Sequence, residues 1–376
     1  MKITILQEKL KEGIQTVEKI CPKSLSLPIL NNILLKAEKN FITLEATDLE
    51  LGIQWSILTK VEEEGILIFP SKILSNFINF LPGKNINIFD KNQILFIECE
   101  NYKTKIKCFN YEDFPVFPKI TENENITINV KDFCEGLSQI VNFSIVSNIK
   151  PELSGVYFSF KKDYVVMAAT DTFRLGEKRM FLKTPFSLTR DYNFILPSKT
   201  SKELINILGD KEGILKIYFN PNQVLFEYSN EDIIQPKIKI ISRLIDGEFP
   251  NYQEIIPKKY KTQIIAPKNE FLNQIKIASI FSGKTNEVKL KILPKENKIE
   301  FFSQDPEVGE NQSFLVAKIK GEAVDIAFNY KFLLEGIINV KSQDIVLELN
   351  GEDQAGVIKP TNDSNYLYLV MPIKIS

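Results

Sequence analysis

Apolar residues along this chain follow two spacings, one typical of strands and one typical of helices, in a repeated order. Three segments combine a strand of alternating apolar residues, a polar break and a run with helical spacing. The strand and helix are predicted at residues 2–5 and 8–20, at 126–130 and 132–141, and at 263–266 and 270–281. Leu10, Phe133 and Phe271 occupy matching positions in the first turns of these helices. The pattern therefore predicts a threefold internal repeat.

A second junction between strand and helix lies inside each repeat. Pro-Ser-Lys at 70–72 and 197–199, and Asn-Tyr-Lys at 329–331, each begin a run with helical spacing. Between the helices, alternating residues predict strands at 41–46, 86–89, 94–99, 156–160, 165–169, 215–219, 224–228, 288–293, 299–302 and 345–349. The predicted fold class is α+β, with each third built from two strand–helix–strands units.

Proline and aromatic residues end the first two repeats, at residues 114–118 and 249–252. We therefore predict three similar domains, at residues 1–121, 126–256 and 258–376, and a chain of 376 residues is long enough to hold them.

The composition limits the chemistry available to the chain. There is no histidine, which excludes Ser-His-Asp and Cys-His nucleophile systems, histidine metal sites and imidazole acid–base catalysis. Hydrophobic residues make up 44% and charged residues 25%, as in globular proteins, and no apolar stretch is long enough to span a membrane. The four cysteines show no paired spacing, so we expect reduced thiols in a cytoplasmic protein.

Three features that resemble chemical motifs are better explained by structure. Ser-Gly-Lys-Thr at 282–285 resembles the end of a phosphate-binding loop, but it follows a predicted helix, and position 278 is alanine where that loop needs glycine. Carboxylates such as Asp163 and Asp305 show no spacing that brings them together. Ala-Thr-Asp recurs at 46–48 and 169–171, at the ends of strands, which favours turn capping. We therefore expect no cofactor and no metal.

Charge is balanced over the whole chain but uneven along it. The net charge is −1, yet basic residues outnumber acidic ones over the six predicted helices, so the remainder is net negative. If the helices share one face, that face suits contacts with phosphates that do not depend on sequence. The helix lysines that would supply them are Lys9, Lys72, Lys199, Lys202, Lys268, Lys276 and Lys331. The alternative is that these are ordinary surface lysines of helices.

Five segments, taken together, resemble one family. They are residues 27–32 (Leu-Pro-Ile-Leu-Asn-Asn), 46–50 (Ala-Thr-Asp-Leu-Glu), 169–171 with Arg-Leu at 174–175, 242–252, and 370–372 (Val-Met-Pro). In this order, from end to end, the chain resembles the β subunit of bacterial DNA polymerase III, the replicative sliding clamp. The resemblance implies three domains of the DNA clamp fold per chain and a head-to-tail dimeric ring around duplex DNA. The helices would lie inside this ring and the sheets outside.

The resemblance also implies a function without catalysis. A ring is linked to DNA by topology, so weak contacts between lysine and phosphate permit sliding. The chain would tether the DNA polymerase III α subunit and other proteins with clamp-binding motifs, and an ATP-driven clamp loader would place it on DNA.

Partner peptides are expected in a pocket between the second and third domains. The apolar segment 366–376 also suits a peptide groove, because methionine and proline beyond a strand make an adaptable surface, and the alternative is that this segment is a last core strand. By resemblance, the walls are Leu153, Thr170, Arg174, Leu175, Pro250, Ile255, Asn329, Val370, Met371, Pro372 and Ile373. The sequence departs from the family at Thr172-Phe173, where Gly-His is usual, and at Glu254, where arginine is common. These departures concern the affinity and sequence preference for peptides.

DNA contacts and the dimer interface are also assigned by the resemblance. Family positions for DNA correspond to Lys23, Ser24, Lys72 and Asn148, and the helix charge adds Lys199, Lys202 and Lys276. Paired aromatics of some members are replaced by Pro151 and Glu152. Ile106, Ile280 and Phe281 would lie at the dimer interface, with ordinary core packing as the alternative.

Two other classes of function remain open on the residues alone. A repeat scaffold that binds peptides would not stay on circular DNA. A carboxylate enzyme without histidine, such as a glycosidase, would lose its rate when one aspartate or glutamate is replaced.

Overall fold

The computed structural model describes residues 1–22, 26–118, 120, 125–147, 149–182, 186, 191–230 and 236–374. The chain separates into two compact units. The first unit consists of Met1–Glu135, Phe186–Thr189 and Lys199–Leu244, and the second of Gly136–Pro185, Arg190–Ser198 and Ile245–Ser376. The middle third of the chain thus contributes to both units. The three predicted domain boundaries stay a prediction.

The described residues form six α-helices, one at each predicted position. They are α1 (Gln7–Val17), α2 (Ser71–Phe80), α3 (Val130–Ser138), α4 (Ser198–Leu208), α5 (Lys268–Ser279) and α6 (Tyr330–Ile338). Each helix directly follows a strand, and Pro70 and Pro267 stand just before α2 and α5. Asn329 begins α6, where its side chain accepts a hydrogen bond from the Lys331 amide at 3.0 Å. The helix predictions are confirmed.

The first unit contains two antiparallel sheets. The five-stranded sheet consists of β1 (Lys2–Leu6), β5 (Lys60–Glu63), β7 (Asn85–Lys91), β8 (Ile94–Cys99) and β9 (Tyr102–Lys107), in the spatial order β5-β1-β7-β8-β9. The eight-stranded sheet consists of β2 (Asn32–Glu38), β3 (Phe41–Thr47), β4 (Leu51–Leu58), β6 (Gly65–Pro70), β10 (Asn125–Asn129), β15 (Ile214–Phe219), β16 (Gln223–Ser229) and β17 (Ile238–Arg243), in the order β10-β15-β16-β17-β4-β3-β2-β6.

The core of the first unit lies between helices and sheets. Helices α1 and α2 pack against each other, and α1 also packs on β3 and β4. Ile42 and Leu44 of β3 point into this core, because alternate residues of a strand share a face. Trp55 of β4 is fully buried over Gly13 of α1, where an added Cβ would lie 2.5 Å from the indole ring. Glycine at position 13 therefore sets how closely α1 approaches the sheet.

The second unit also contains two antiparallel sheets. The nine-stranded sheet consists of β11 (Gly155–Phe160), β12 (Tyr164–Thr170), β13 (Arg174–Phe181), β14 (Tyr192–Pro197), β18 (Thr262–Pro267), β22 (Lys318–Gly321), β24 (Asp344–Leu349), β25 (Gly356–Pro360) and β26 (Tyr366–Val370), in the order β14-β11-β12-β13-β26-β25-β24-β18-β22. The four-stranded sheet consists of β19 (Glu287–Leu293), β20 (Lys298–Asp305), β21 (Gly309–Val316) and β23 (Val324–Asn329), in the order β21-β20-β19-β23. Helices α5 and α6 pack against each other, and α6 also contacts β23 and β26.

Each third of the chain contributes two equivalent groups of four strands. The first group is β2, β3, β4 and β6, then β11 to β14, then β19, β20, β21 and β23. The second group is β1, β7, β8 and β9, then β10 and β15 to β17, then β18 and β24 to β26. In every third, the residues after the last strand bridge to the strand before the second helix, through Phe109 and Ile68, Ile245 and Ile195, and Ile373 and Ala327. The predicted threefold repeat is confirmed in the strand pairing.

Neighbouring thirds are joined by one strand pair in each unit. Strand β4 pairs with β17 in the first unit, and β13 pairs with β26 in the second. In the repeat, β9 is equivalent to β17 and β26, and β21 is equivalent to β4 and β13. Within the described ranges, β9 and β21 each have a strand partner on one side only.

Candidate functional site

The turn between β12 and β13 lies among the residues expected to bind peptide. The Thr170 hydroxyl donates to the Arg174 carbonyl at 2.7 Å and accepts from the Thr172 amide at 3.1 Å. Asp171 Oδ1 accepts from the amides two and three residues further on, both at 3.0 Å. The same four hydrogen bonds hold the turn at residues 47–51 between β3 and β4. The repeated Ala-Thr-Asp motif is therefore a turn cap, as predicted.

This turn presents Phe173 to solvent. Thr172 has a φ of +78°, in the left-handed region, and Leu49 has the same conformation in the equivalent turn. The Phe173 side chain is 61% exposed. The backbone carbonyl of Phe173 accepts a hydrogen bond from the Met371 amide at 2.8 Å, so the turn is tied to the end of β26. One of the two departures from the family therefore lies beside the predicted peptide residues.

Arg174 is bound on several sides by protein groups. Its Nε donates to Asp171 Oδ2 at 3.0 Å, its Nη1 donates to Glu335 of α6, and its Nη2 donates to the Asn142 carbonyl at 3.4 Å. The guanidinium lies over the rings of Phe332 and Phe143, 4.5 and 5.5 Å from their centroids. Burial lowers the pKa of Arg174, but Tyr368, Glu335 and Asp171 outweigh burial and raise the pKa above its ordinary value. Arg174 therefore stays charged and joins β13 to α6.

Arg174 and Leu175 lie on opposite faces of β13. They are adjacent in a strand, and they pair with Val370 and Leu369 of β26. Arg174 faces the aromatic rings described above, whereas Leu175 packs with Tyr252 and Leu369 in a buried cluster. The structure thus divides the predicted peptide residues between the two faces of one sheet.

The predicted peptide residues differ in exposure. The exposed ones are Pro250, Ile255 and Met371, and those of intermediate exposure are Arg174, Asn329, Pro372 and Ile373. The buried ones are Leu153, Thr170, Leu175 and Val370. In this conformation the first two groups are accessible to solvent, and the buried residues are not.

Glu254, the other departure from the family, lies in the short turn that carries Ile255. Its carboxylate accepts a hydrogen bond from Asn251 Nδ2 at 2.6 Å, and the residue is exposed. An arginine at this position would present a positive charge where this chain presents a negative one.

The predicted DNA-binding residues that the structure describes lie on helices. Lys72 of α2, Lys199 and Lys202 of α4 and Lys276 of α5 are all exposed. Lys199 forms an ion pair with Asp48, which offsets part of its charge. Lys23, Ser24 and Asn148 lie outside the described residues.

Lys268 of α5 is hydrogen-bonded to the end of α6. Its ammonium donates to the carbonyls of Ile338 at 3.0 Å and Val340 at 2.6 Å, at the end of α6. Burial lowers its pKa. The last carbonyls of a helix lack intrahelical partners, and Lys268 supplies donors to them. These two bonds make Lys268 a weaker candidate for a phosphate contact, which stays a prediction.

The predicted interface residues lie in different environments. Ile280 is 65% exposed at the end of α5, Phe281 is half-buried, and Ile106 of β9 is 5% exposed. Ile106 is thus part of the core within one chain, which was the alternative for these residues.

The weaker chemical motifs take structural roles. Residues 283–285 form a short 3-10 turn after α5, beginning at Gly283 with a φ of +57°, so the segment ends a helix. The described residues contain no group of three or more cysteine, aspartate or glutamate side chains placed to hold a metal ion. No helix in the described ranges has the length and apolar character needed to cross a bilayer.

Sequence reasoning missed the partners of Arg174. Glu335 and Phe332 lie together on α6 and Phe143 lies in another segment, and no local spacing relates them to Arg174. The only available signal was the position of Glu335 on a predicted helix, which does not specify its partner.

Three successive segments of the chain match models of a single protein family. Residues 1–118 match the N-terminal domain of the DNA polymerase III beta subunit, residues 127–251 match its central domain, and residues 253–374 match its C-terminal domain.

Individual relatives match over their whole length. A beta sliding clamp of Bacillus subtilis is 29% identical over 387 residues, and one of Synechococcus elongatus is 27% identical over 382 residues, with 100% of both chains covered in each case. The crystal structure of the DNA polymerase sliding clamp from Bacillus subtilis has a TM-score of 0.93 at 28% identity over 100% of both chains. A sliding clamp from Pseudomonas aeruginosa, solved bound to griselimycin, shares the fold with a TM-score of 0.93 at 20% identity over 100% of both chains.

Proposed function

Because the chain belongs to the DNA polymerase III beta subunit family of sliding clamps, we propose that two copies join head to tail and enclose duplex DNA. Proteins of this family are processivity factors, so the chain has no catalytic activity of its own and serves DNA replication by holding DNA polymerase at its template. Enclosure accounts for a DNA-bound protein with a net charge of only −1, because a closed ring does not need tight phosphate contacts.

The sheet edges at β9 and β21 carry the proposal of a head-to-tail dimer. Within the chain, the last strand of one third pairs with the fourth strand of the preceding third, as β17 does with β4 and β26 does with β13. Strand β9 is the last strand of the first third, and β21 is the fourth strand of the last third. Each is an edge strand in the described part of the chain. An antiparallel pair between β9 of one copy and β21 of the other would complete the series.

The repeat also predicts the register of this pair. The pairing of equivalent strands makes Lys105 equivalent to Ile241 and Leu369, and makes Glu310 equivalent to Gly52 and Leu175. Ile241 pairs with Gly52, and Leu369 pairs with Leu175. By the same register, Lys105 would lie opposite Glu310 of the partner subunit. Opposite charges at directly paired positions stabilise a strand pair.

Exchanging these charges tests the dimer. We expect the unmodified chain to have twice the mass of one 43.2 kDa chain in light scattering. Glu310→Lys should lower the dimer affinity about fivefold to tenfold, because it places two lysines opposite each other. Adding Lys105→Glu should restore most of the affinity, since the pair then has opposite charges again.

The control for this test changes the same charge elsewhere. Glu352→Lys alters an exposed residue in the loop before β25, and it should leave the mass unchanged. A single-chain mass for the unmodified protein at micromolar concentration contradicts the dimer. Failure of Lys105→Glu to restore dimers of Glu310→Lys contradicts the register.

We place the DNA contacts on the helices. Lys72, Lys202 and Lys276 are exposed, and a lysine holds a phosphate as a point charge without reading the base. The ion pair with Asp48 makes Lys199 the weaker candidate. Individual replacement of these lysines should reduce DNA affinity uniformly across sequences and reduce its dependence on salt.

We place partner peptides on the second unit, at Pro250, Ile255 and Met371. These side chains are apolar and exposed, and Met371 is tied by its amide to the turn that carries Phe173. The partners we propose are the DNA polymerase III α subunit, other proteins with clamp-binding motifs, and the clamp loader, all acting in the cytoplasm. A peptide copying the clamp-binding motif of the polymerase α subunit should bind the unmodified chain, and it should bind Met371→Ala combined with Leu175→Ala more weakly while the dimer stays intact. Equal affinity for both proteins in calorimetry would exclude this surface.

A further inference from the structure

The segment that carries Pro250 and Ile255 is fixed to the nine-stranded sheet by the residue between them, Tyr252. Tyr252 begins the 3-10 turn Tyr252–Ile255, and its amide donates to the Pro250 carbonyl at 2.7 Å. Its side chain is 6% exposed and packs in a buried cluster with Leu175 and Leu369. Two of the exposed residues proposed to bind peptide thus depend for their position on one buried tyrosine.

The Tyr252 hydroxyl donates to a buried carboxylate. It lies 2.6 Å from Glu177 Oε2 of β13, and Arg179 Nε donates to the other carboxylate oxygen at 2.8 Å. Glu177 is 4% exposed, so it depends on protein donors in place of water. Burial and then the Glu177 charge raise the pKa of Tyr252, so the hydroxyl keeps the proton that it donates. This hydrogen bond therefore satisfies a polar group on each of the two buried side chains.

Aromatic packing fixes the other side of Pro250. Phe249 stacks on Tyr157 of β11 with 5.0 Å between ring centroids, and it meets Tyr252 edge-on at 6.0 Å. Pro250 therefore stands between two anchored aromatic residues while remaining exposed itself.

The first unit has a different arrangement at the equivalent position. The matching turns and strand pairs make Gln54 of β4 equivalent to Glu177 of β13. The Gln54 amide donates to Glu45 of the adjacent strand at 2.7 Å. The tyrosine–carboxylate contact is thus found in the unit that carries the proposed peptide surface, and the equivalent residue of the other unit bonds within its own sheet. This difference favours a role in binding over a general requirement of the fold.

We propose that the hydrogen bond between Tyr252 and Glu177 positions Pro250 and Ile255 for a partner peptide, an inference that rests on the peptide site under the proposed function. Tyr252 and Glu177 are positioning residues, because both are buried beneath the surface that the peptide contacts. Breaking the bond would leave the aromatic packing in place but allow the turn to shift relative to Met371. Part of the peptide's binding free energy would then be lost to ordering the turn.

Tyr252→Phe tests this proposal with a single lost hydroxyl. Tyr260→Phe is the matched control, because Tyr260 packs against the same cluster and its hydroxyl contacts Lys359 at 3.4 Å. The probe is a synthetic peptide copying the clamp-binding motif of the polymerase α subunit, titrated into the full-length chain by calorimetry. We expect Tyr252→Phe to weaken peptide binding about tenfold and Tyr260→Phe to leave it within about twofold.

A double variant separates positioning from loss of fold. Glu177→Gln combined with Tyr252→Phe should lose less affinity than the sum of the two single changes, because both act on one bond. Faster amide exchange at residues 250–255 in Tyr252→Phe, with unchanged exchange in α5 and α6, would further support positioning.

The remaining outcomes overturn the inference. Unchanged peptide affinity in Tyr252→Phe with a lowered Tm would assign the bond to stability alone. Equal losses in Tyr252→Phe and Tyr260→Phe would show a general weakening of the segment 249–260. If the unmodified chain fails to bind the peptide, the proposed peptide site fails and the inference falls with it, whereas tight binding that Tyr252→Phe leaves intact removes only the inference.

Discussion

A single residue, Thr172, shows the conformational cost of the turn at the proposed peptide site. A β-branched residue with a φ of +78° brings its Cβ close to the following carbonyl, which costs about 1–2 kcal/mol. The hydrogen bonds of Thr170 and Asp171 hold the residue there nonetheless. The sequence thus keeps a strained residue where the family usually has glycine, and it places the exposed Phe173 directly after it.

Thr172→Gly should raise the free energy of unfolding by about 1 kcal/mol, because glycine adopts this conformation without the clash and loses only part of the gain to its freedom in the unfolded chain. Thr172→Ala is the control, since alanine keeps the Cβ, and it should change the stability much less. The measurement is urea unfolding of both variants. A lower stability for Thr172→Gly than for Thr172→Ala would contradict the assignment of strain.

At the scale of elements, helix α1 is tied to the β17 side of its unit by Glu12. The carboxylate accepts from Lys237 Nζ at 2.6 Å, and Lys211 Nζ lies 3.6 Å away. Burial raises the pKa of Glu12, but Lys237, Lys211 and Lys9 together lower it more, so it lies below the ordinary value of 4.5. The ionised carboxylate is therefore the form that stabilises the folded unit.

This contact predicts a pH dependence. Since the folded pKa is the lower one, the stabilisation is complete above about pH 4.5 and is lost as the pH falls through the folded pKa. Glu12→Gln should lower the stability at pH 7 by about 1 kcal/mol, a modest value because the side chain is partly exposed. The difference between the two proteins should shrink below pH 4.5 in denaturant titrations. A constant difference from pH 7 to pH 3 would show that the charge has no part in it.

The sequence predicted helices and strands well where apolar residues recur at a regular spacing. All six helices, the three strands predicted before the first helix of each repeat and the ten strands predicted between helices are present in the structure. Strand β13 was missed because four of its eight residues are charged, and its alternation appears only once Glu177 is seen to be buried under Tyr252. Glu177 and Tyr252 are 75 residues apart, so no periodicity relates them. The proposed peptide residues were found through family resemblance, and their division between two faces of a sheet required the structure.

At the scale of the whole molecule, the proposed ring would stay on circular DNA even where its affinity for phosphates is weak. A protein held only by phosphate contacts dissociates at high salt, since each contact competes with counterions. A closed ring remains on circular DNA under the same conditions because it has no end to pass. The uneven distribution of charge then serves sliding more than tight binding.

Retention on circular DNA is therefore the measurement that separates a ring from an open scaffold. After loading, the protein should stay on a nicked circle at about 0.5 M salt and leave within minutes once the circle is cut, because a ring slides off free ends. Glu310→Lys should leave the circle faster than the unmodified chain, while Glu352→Lys should not. Equal loss from circular and linear DNA would support a scaffold that never encloses its ligand.

The strand pairs that join neighbouring thirds also decide where such an assembly comes apart. At β4–β17 and β13–β26 the two sides belong to one polypeptide, so a transient break is quickly reversed by the high effective concentration of a tethered partner. Nothing covalent would cross the pair between β9 and β21, and a subunit that separates there diffuses away. Dilution should therefore dissociate only the β9–β21 pairs. A clamp loader needs to open only one of the two β9–β21 pairs of the ring to admit DNA.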